Sequence, residues 1–367
     1  MKAARFVEYR IPPSLDVTDA PKPRSPRGAE VLIRSVGGVC HSDLHIIRGE
    51  WRGFSDNLVR PYTLGHELAG WIEEAGEAAE EAGFKKGDPV VGSGGWGCGA
   101  CELCQKGHEQ ICALFRLNNV PGLSTNPEWQ GTYAEYVLVP TYIGLVNLKG
   151  TGIEPEKAAP VSDAALTPYH AIKMAKKLID LGPESFIVIR GIGGLGHFAV
   201  QLAKATTQST VIAITSSEDK VDVIQKLGAD HVILEGKGVN IKEEVKKITK
   251  ERMADLVIEF WVTDERITED FKLVKPYLGI LMPVGLGYET TSIKYMTFSD
   301  GLAERHILGS YWGTAREVAE IIGLVKAGKV TLDYVKNYPL EKINDIILKL
   351  HEKRLWTEEK IFRATVK

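Results

Sequence analysis

The sequence predicts an α/β fold, a doubly wound parallel sheet accompanied by a second, β-rich domain. Three observations carry this expectation. From about Glu184 onward, short β-branched runs alternate with helical stretches. A glycine-rich loop stands at the first strand-to-helix junction of that series. Upstream of it, the chain breaks into short apolar runs punctuated by Pro and Gly. The 367 residues suit about two domains at roughly 150 residues each.

In order, Glu30-Val31-Leu32-Ile33-Arg34 and Pro89-Val90-Val91-Gly92 read as strands of the β-rich part. Phe186-Ile187-Val188-Ile189 is a buried-strand run, followed by the glycine loop and a helical stretch from Leu195 to Ala205. Strand patterns recur at Thr210 to Ile214, His231 to Leu234, Asp255 to Phe260 and Ile280 to Val284. Between them, helices are expected at Lys220 to Leu227, around Ile241 to Thr249 and near Ile267 to Val274. Further helices follow around Glu317 to Lys326 and Ile343 to Glu352, and the chain ends on a strand-like segment.

Composition excludes several classes. Hydrophobic residues make up 44% and charged residues 25%, an ordinary globular balance that argues against a disordered, collagen-like or membrane-embedded chain. A net charge of −3 offers no footprint for nucleic acid. No run approaches the ~18 apolar residues of a membrane span. The N-terminus lacks the apolar core of a signal peptide, so a reducing, cytoplasmic setting is expected.

Gly191-Ile192-Gly193-Gly194-Leu195-Gly196 fits G-x-G-x-x-G between a strand and a helix, the context in which the pattern cradles a dinucleotide pyrophosphate. A carboxylate at the end of the next strand would hold the adenosine ribose of NAD. Here that strand runs into Thr215-Ser216-Ser217, whose hydroxyls can donate to a 2′-phosphate. Glu218 and Asp219 follow without an Arg beside them, and the balance leans towards NADP.

Four of the five cysteines, Cys98, Cys101, Cys104 and Cys112, form C-x2-C-x2-C-x7-C. Four thiolates on one short lobe can close a tetrahedral zinc site of the structural type. Cys40-His41-Ser42-Asp43-Leu44-His45 and Gly65-His66-Glu67 supply further zinc donors. A catalytic zinc needs three protein ligands and an exchangeable position, and spacing does not identify the third. Ser42 and His45 can form a proton path from such a site. Trp51 and Trp96 are candidates either to line a pocket near the metal or to pack in the core. The remaining histidines read as structural or surface residues.

These segments, in this order and with Gly131-Thr132-Tyr133-Ala134-Glu135-Tyr136 and Gly309-Ser310-Tyr311, resemble the zinc-containing medium-chain alcohol dehydrogenases. The resemblance implies a GroES-like catalytic domain over 1–161 and 306–367 and a Rossmann domain over 162–305. It implies two zinc ions per chain, with Cys40 and His66 as catalytic ligands. Asp163 stands where the family often has a third ligand Cys, as in a bacterial and archaeal branch. Glu67 resembles the nearby acid that can approach the metal, Asp43 the carboxylate that orients His66, and Ser42 with His45 the proton relay. His41 and Arg363 resemble the pyrophosphate contacts, although Phe362 replaces the Gly usual before that Arg. Thr215 occupies the ribose-binding acid position, and Lys220 suits either cofactor. The implied activity is reversible hydride transfer between an alcohol and NAD(P), giving an aldehyde or ketone, in a homodimer or homotetramer. The alternatives are a sugar or polyol dehydrogenase of the same superfamily, a metal-free NADPH quinone or enoyl reductase, and a dinucleotide-sensing protein without catalysis.

Overall fold

The computed structural model describes residues 1–115, 120–286 and 291–367. In chain order its strands are β1 (Lys2–Phe6), β2 (Asp16–Asp19), β3 (Val31–Val39), β4 (Tyr62–Thr63), β5 (Glu67–Ala75), β6 (Pro89–Gly92), β7 (Tyr136–Val139) and β8 (Leu145–Asn147), then β9 (Phe186–Arg190), β10 (Thr210–Thr215), β11 (His231–Leu234), β12 (Leu256–Glu259), β13 (Ile280–Pro283), β14 (His306–Ile307), β15 (Val335–Tyr338) and β16 (Arg363–Val366). The chain forms two compact units, Met1–Leu166 with Trp312–Lys367, and Thr167–Tyr311. Among the described residues no helix is long and apolar enough to cross a membrane.

The first unit is built on a sheet of order β15-β16-β3-β5-β6-β8, with β7 also pairing β3. Its strand β3 is buried along nearly its whole length, so it reads as a continuous apolar and glycine run rather than an alternation. Both β5 and β16 lie antiparallel to β3, pairing Glu67 and Thr365 with Gly38. The end of β3 and the starts of β5 and β16 therefore meet at one edge of the sheet. That edge carries Cys40, His66, Glu67 and Arg363.

The second unit is a parallel sheet of order β11-β10-β9-β12-β13-β14. Numbered within the unit this is 3-2-1-4-5-6, the doubly wound order. Val188, Ile212, Val257 and Leu281 from its central strands join one buried apolar cluster. Two details differ from the sequence expectation. The helix expected near Ile267 to Val274 spans Asp264–Phe271, because Thr263 caps it by accepting from Arg266 N at 3.3 Å. A sixth strand, β14, extends the sheet, and its two residues are too short for any periodic signal.

A buried charge network ties the strand ends beneath the glycine loop. Arg190, the last residue of β9, is 1% exposed. It donates to Asp270 and reaches Glu269, each at 2.7 Å, and also bonds Glu235. Arg266 donates to Glu259 at 3.0 Å and Glu235 at 2.9 Å. Glu259 ends β12 and accepts from Trp261 N at 2.6 Å. The following Gly191 has φ +90°, and its open side faces Glu259 Oε1 and Phe260 Cβ at 3.7 and 3.5 Å.

Burial and the adjacent Asp270 push Glu259 up to about 9, with Arg266 pulling the other way. The folded state thus keeps a proton that the unfolded chain releases near 4.5, and stability drains as pH rises between those values. Glu259→Gln should remove that drain. Thermal melts from pH 5 to 9 should show wild type losing ground to the variant as pH rises. Parallel curves would contradict the assignment.

Candidate active site and metal centres

In the first unit, Cys40 sits at the N-terminus of the helix His41–Ile47, and its backbone N–H donates to Asp43 Oδ2 at 3.0 Å. His66 and Glu67 open β5, 1% and 0% exposed respectively. Asp163 follows the 3₁₀ turn Ala159–Ser162. One donor atom from each of Cys40, His66, Glu67 and Asp163 lies within 4.8 Å of the others. His66 Nε2 is 3.5 Å from Asp163 Oδ2, and Cys40 Sγ is 3.8 Å from the same oxygen.

The surrounding groups orient these donors. His66 Nδ1 faces Asp43 Oδ1 at 3.5 Å, the carboxylate–histidine arrangement that sets a ligand ring. Asp43 is itself held by Tyr133, whose hydroxyl donates to Oδ2 at 2.5 Å. Arg363 donates to Glu67 Oε1, while buried Glu67 Oε2 has no hydrogen-bond partner. Gly38 makes room for this acid, since a Cβ there would stand 2.8 Å from Glu67 Cβ.

Electrostatics point the same way. Burial alone would lower the His66 pKa, but Asp43, Asp163 and Cys40 outweigh it and hold the ring protonated well above its ordinary range. Burial raises Glu67 to about 7 against the pull of Arg363. A pocket with one thiol, one imidazole and several carboxylates has an excess of buried acceptors. These are the donor types that zinc takes, and an imidazole freed of its proton would be the neutral ligand. The residues present therefore fit a catalytic zinc.

The cysteine lobe is equally well defined. Cys98 and Cys104 sulfurs are 3.9 Å apart, as are those of Cys101 and Cys112. Zinc–sulfur bonds of ~2.3 Å in a tetrahedron put sulfurs about 3.8 Å apart, whereas a disulfide needs ~2.05 Å. All four sulfurs lie within 4.8 Å of one another. Backbone N–H groups pull Cys98 and Cys101 down, and burial pushes Cys104 up.

In the second unit, the glycine loop leads into the helix Gly196–Thr206. A Cβ at Gly196 would strike the Gly191 carbonyl, whereas one at Gly193 would meet nothing within 4 Å, which leaves the loop's face open. Lys220 Nζ donates to Ile192 O at 3.4 Å, so it lies over the loop. Thr215 ends β10 buried, and its hydroxyl accepts from Ser217 N at 3.2 Å. Ser216 is exposed.

The remaining expected residues are placed as follows. Ser42 Oγ is 3.8 Å from Cys40 Sγ. His41 is exposed on the first helical turn. His45 bonds Glu50 and stacks on Trp51 at 5.2 Å. Arg363, expected as a pyrophosphate contact, is 3% exposed with its guanidinium on Glu67. Trp96 is fully buried and meets Trp129 edge-on at 6.3 Å, the packing alternative. Sequence reasoning missed Trp312, whose indole N–H donates to Asp163 Oδ1. It follows the Gly309-Ser310-Tyr311 motif directly, but nothing in the spacing links it to Asp163.

Known proteins resemble the chain over most of its length. Residues 27–149 match the alcohol dehydrogenase GroES-like domain, and residues 194–327 match the zinc-binding dehydrogenase family. An NAD-dependent alcohol dehydrogenase of Sulfurisphaera tokodaii is 35% identical over 353 residues, 95% of each chain. A D-arabinose 1-dehydrogenase (NADP(+)) of Saccharolobus solfataricus is 32% identical over 358 residues, 96% of this chain and 95% of that one. The crystal structure of the alcohol dehydrogenase from Aeropyrum pernix superposes with a TM-score of 0.85 at 32% identity, covering 100% of this chain and 99% of that one. The chain belongs to the zinc-containing medium-chain alcohol dehydrogenase family. It is an oxidoreductase that interconverts a small-molecule alcohol and its carbonyl compound with a nicotinamide cofactor.

Proposed function

We propose that the protein is a zinc-dependent alcohol dehydrogenase that prefers NADP, with Cys40, His66 and Asp163 holding the catalytic zinc. The observation that carries this reading is the convergence of those three donors with Glu67 in one buried cluster. Cys98, Cys101, Cys104 and Cys112 hold a second, structural zinc. The unit containing Met1–Leu166 and Trp312–Lys367 is the catalytic domain, and Thr167–Tyr311 the dinucleotide-binding domain. Five cysteines with no disulfide among them suit a reducing cytoplasm.

Bound there, zinc supplies a Lewis acid that lowers an alcohol's pKa or polarises a carbonyl, and the nicotinamide carries the hydride. This chain's residues do the rest. Asp43 keeps the His66 ring turned so that Nε2 faces the donor cluster. Glu67, balanced by Arg363, stands by as a spare donor through Oε2. Ser42 takes the alcohol proton in oxidation, and His45, backed by the Glu50 carboxylate, returns it to solvent. The N–H groups at the start of the helix Gly196–Thr206 take the pyrophosphate.

The NADP preference rests on Thr215 and Ser216, which leave the end of β10 without a carboxylate to repel a 2′-phosphate. Lys220 adds a cation beside the loop. A sugar substrate is the second reading, favoured by the D-arabinose dehydrogenase relative.

One set of assays tests these assignments. Wild type should contain two zincs per chain, and Asp163→Ala one, with the cysteine lobe still loaded. Two zincs in that variant would refute Asp163 as a ligand. Ser42→Ala should lose turnover by about 10²–10⁴-fold, the scale of general acid–base catalysis, with cofactor affinity kept. Unchanged turnover with chemistry rate-limiting would remove Ser42 from the relay. The specificity constant with a simple aldehyde should be higher for NADPH than for NADH, and the reverse order would assign the cofactor to NAD. Comparing D-arabinose with simple alcohols in the oxidative direction separates the two substrate readings.

A further inference from the structure

The carboxylate of Asp163 is divided between two neighbours. Its Oδ2 faces the donors, 3.5 Å from His66 Nε2 and 3.8 Å from Cys40 Sγ, while Oδ1 accepts from the Trp312 indole. We propose that Trp312 is a positioning residue of the catalytic metal site, holding Asp163 as a ligand through one oxygen. The proposal rests on the reading of Asp163 as a ligand.

Asp163 needs such a partner. It ends a four-residue 3₁₀ turn with φ −139° and ψ −65°, so the regular backbone pairing that fixes a strand or helix residue stops at its doorstep. A carboxylate turning about its Cβ–Cγ bond can offer a metal either oxygen or both. An indole N–H on Oδ1 removes that freedom. Being neutral, it does so without the positive charge of an Arg or Lys, and the full carboxylate charge stays available to a cation.

Trp312 is itself held firmly. Its φ of +43° lies in a region that bulky residues avoid, and such conformations persist where the surroundings fix them. Its ring lies against Gly94, where a Cβ would stand 2.6 Å from the indole Cγ. Two residues on, Thr314 and Glu317 form the capping box of the helix Ala315–Lys326. Ala315 N donates to Glu109 Oε1 at 3.1 Å, and Glu109 opens the 3₁₀ turn Glu109–Ile111 inside the cysteine lobe. The ring is thus fixed at its face and the backbone just beyond it, and the indole N–H is left pointing at Asp163.

The test uses full-length protein. Trp312→Phe keeps an aromatic ring and removes the donor, while Gly94→Ala leaves Trp312 in place and pushes on its ring. Competition with a chelator should show zinc at the one-thiolate site bound about 10–100-fold more weakly in Trp312→Phe, the usual cost of losing a ligand's hydrogen-bond partner. Zinc in the cysteine lobe should stay at one per chain. Cobalt exchanged into the one-thiolate site should give shifted visible bands, because the carboxylate coordinates differently. A merely structural role for Trp312 would leave those bands unmoved. Gly94→Ala should change affinity and bands in the same direction, and it decides the matter if Trp312→Phe does not fold. Wild-type affinity and spectrum in the folded variants would overturn the role of Trp312 alone. A wild-type protein holding only one zinc would instead overturn the ligand reading beneath it.

Discussion

Buried negative charge without matching positive charge is the constraint on which the first unit is organised. Asp43, Glu67 and Asp163 are all less than 9% exposed and lie about His66 and Cys40, with Arg363 as the guanidinium that answers Glu67. Taking an ion out of water costs several kcal/mol even after relaxation. A cluster of this kind is tolerable only with protons or a cation inside it. Asp43, Asp163 and Cys40 accordingly favour a proton on His66, and burial raises Glu67 above the ordinary carboxylate range. A divalent metal would replace the proton on His66 and answer several acceptors at once. The sheet makes this possible by bringing the end of β3 and the starts of β5 and β16 to one edge. Gly38 then leaves room there for the Glu67 side chain.

The second unit also buries a group of carboxylates, and there guanidinium groups face them. Arg190 and Arg266 pair with Glu235, Glu259, Glu269 and Asp270 at the carboxyl ends of β9 and β12, and the elevated Glu259 carries a proton among them. Replacing such a network by apolar packing is often neutral or stabilising, so its presence under the glycine loop is best understood as fixing geometry. The loop turns away at Gly191 directly after Arg190 and presents an open face at Gly193. The second unit thus answers its buried carboxylates with two guanidiniums and a proton on Glu259, whereas the donor set of the first unit is of the kind a divalent metal would take.

Legibility in the sequence followed the distance between partners. The cysteine lobe and the glycine loop were readable because each is contained in a few consecutive residues, where spacing and chemistry are one observation. The alternation of strands and helices after Glu184 predicted the parallel sheet for the same reason. Asp163 lies far along the chain from Cys40 and His66 and sits on a short turn with no periodicity, so only resemblance to a family pointed to it. Trp312 on Asp163 and Arg363 on Glu67 are separated by 149 and 296 residues. Such pairings are made by sheet register and by the return of the chain to the first unit, neither of which local pattern reveals. Some misses were avoidable in principle. Thr314 and Glu317 form a capping box that marks a helix start at Ala315, two residues before Glu317.

The donor sets around Cys40 and in the cysteine lobe point to two metal sites of different chemistry on one chain. Zinc K-edge X-ray absorption on the purified wild-type protein, with the metal counted in the same sample, tests it most directly. Two zincs per chain are expected. One should have four sulfurs at about 2.3 Å, and the other a single sulfur with nitrogen and oxygen at about 2.0–2.2 Å. One zinc per chain in an all-sulfur shell would contradict it, leaving the buried donors around Cys40 without the ion they are arranged to hold.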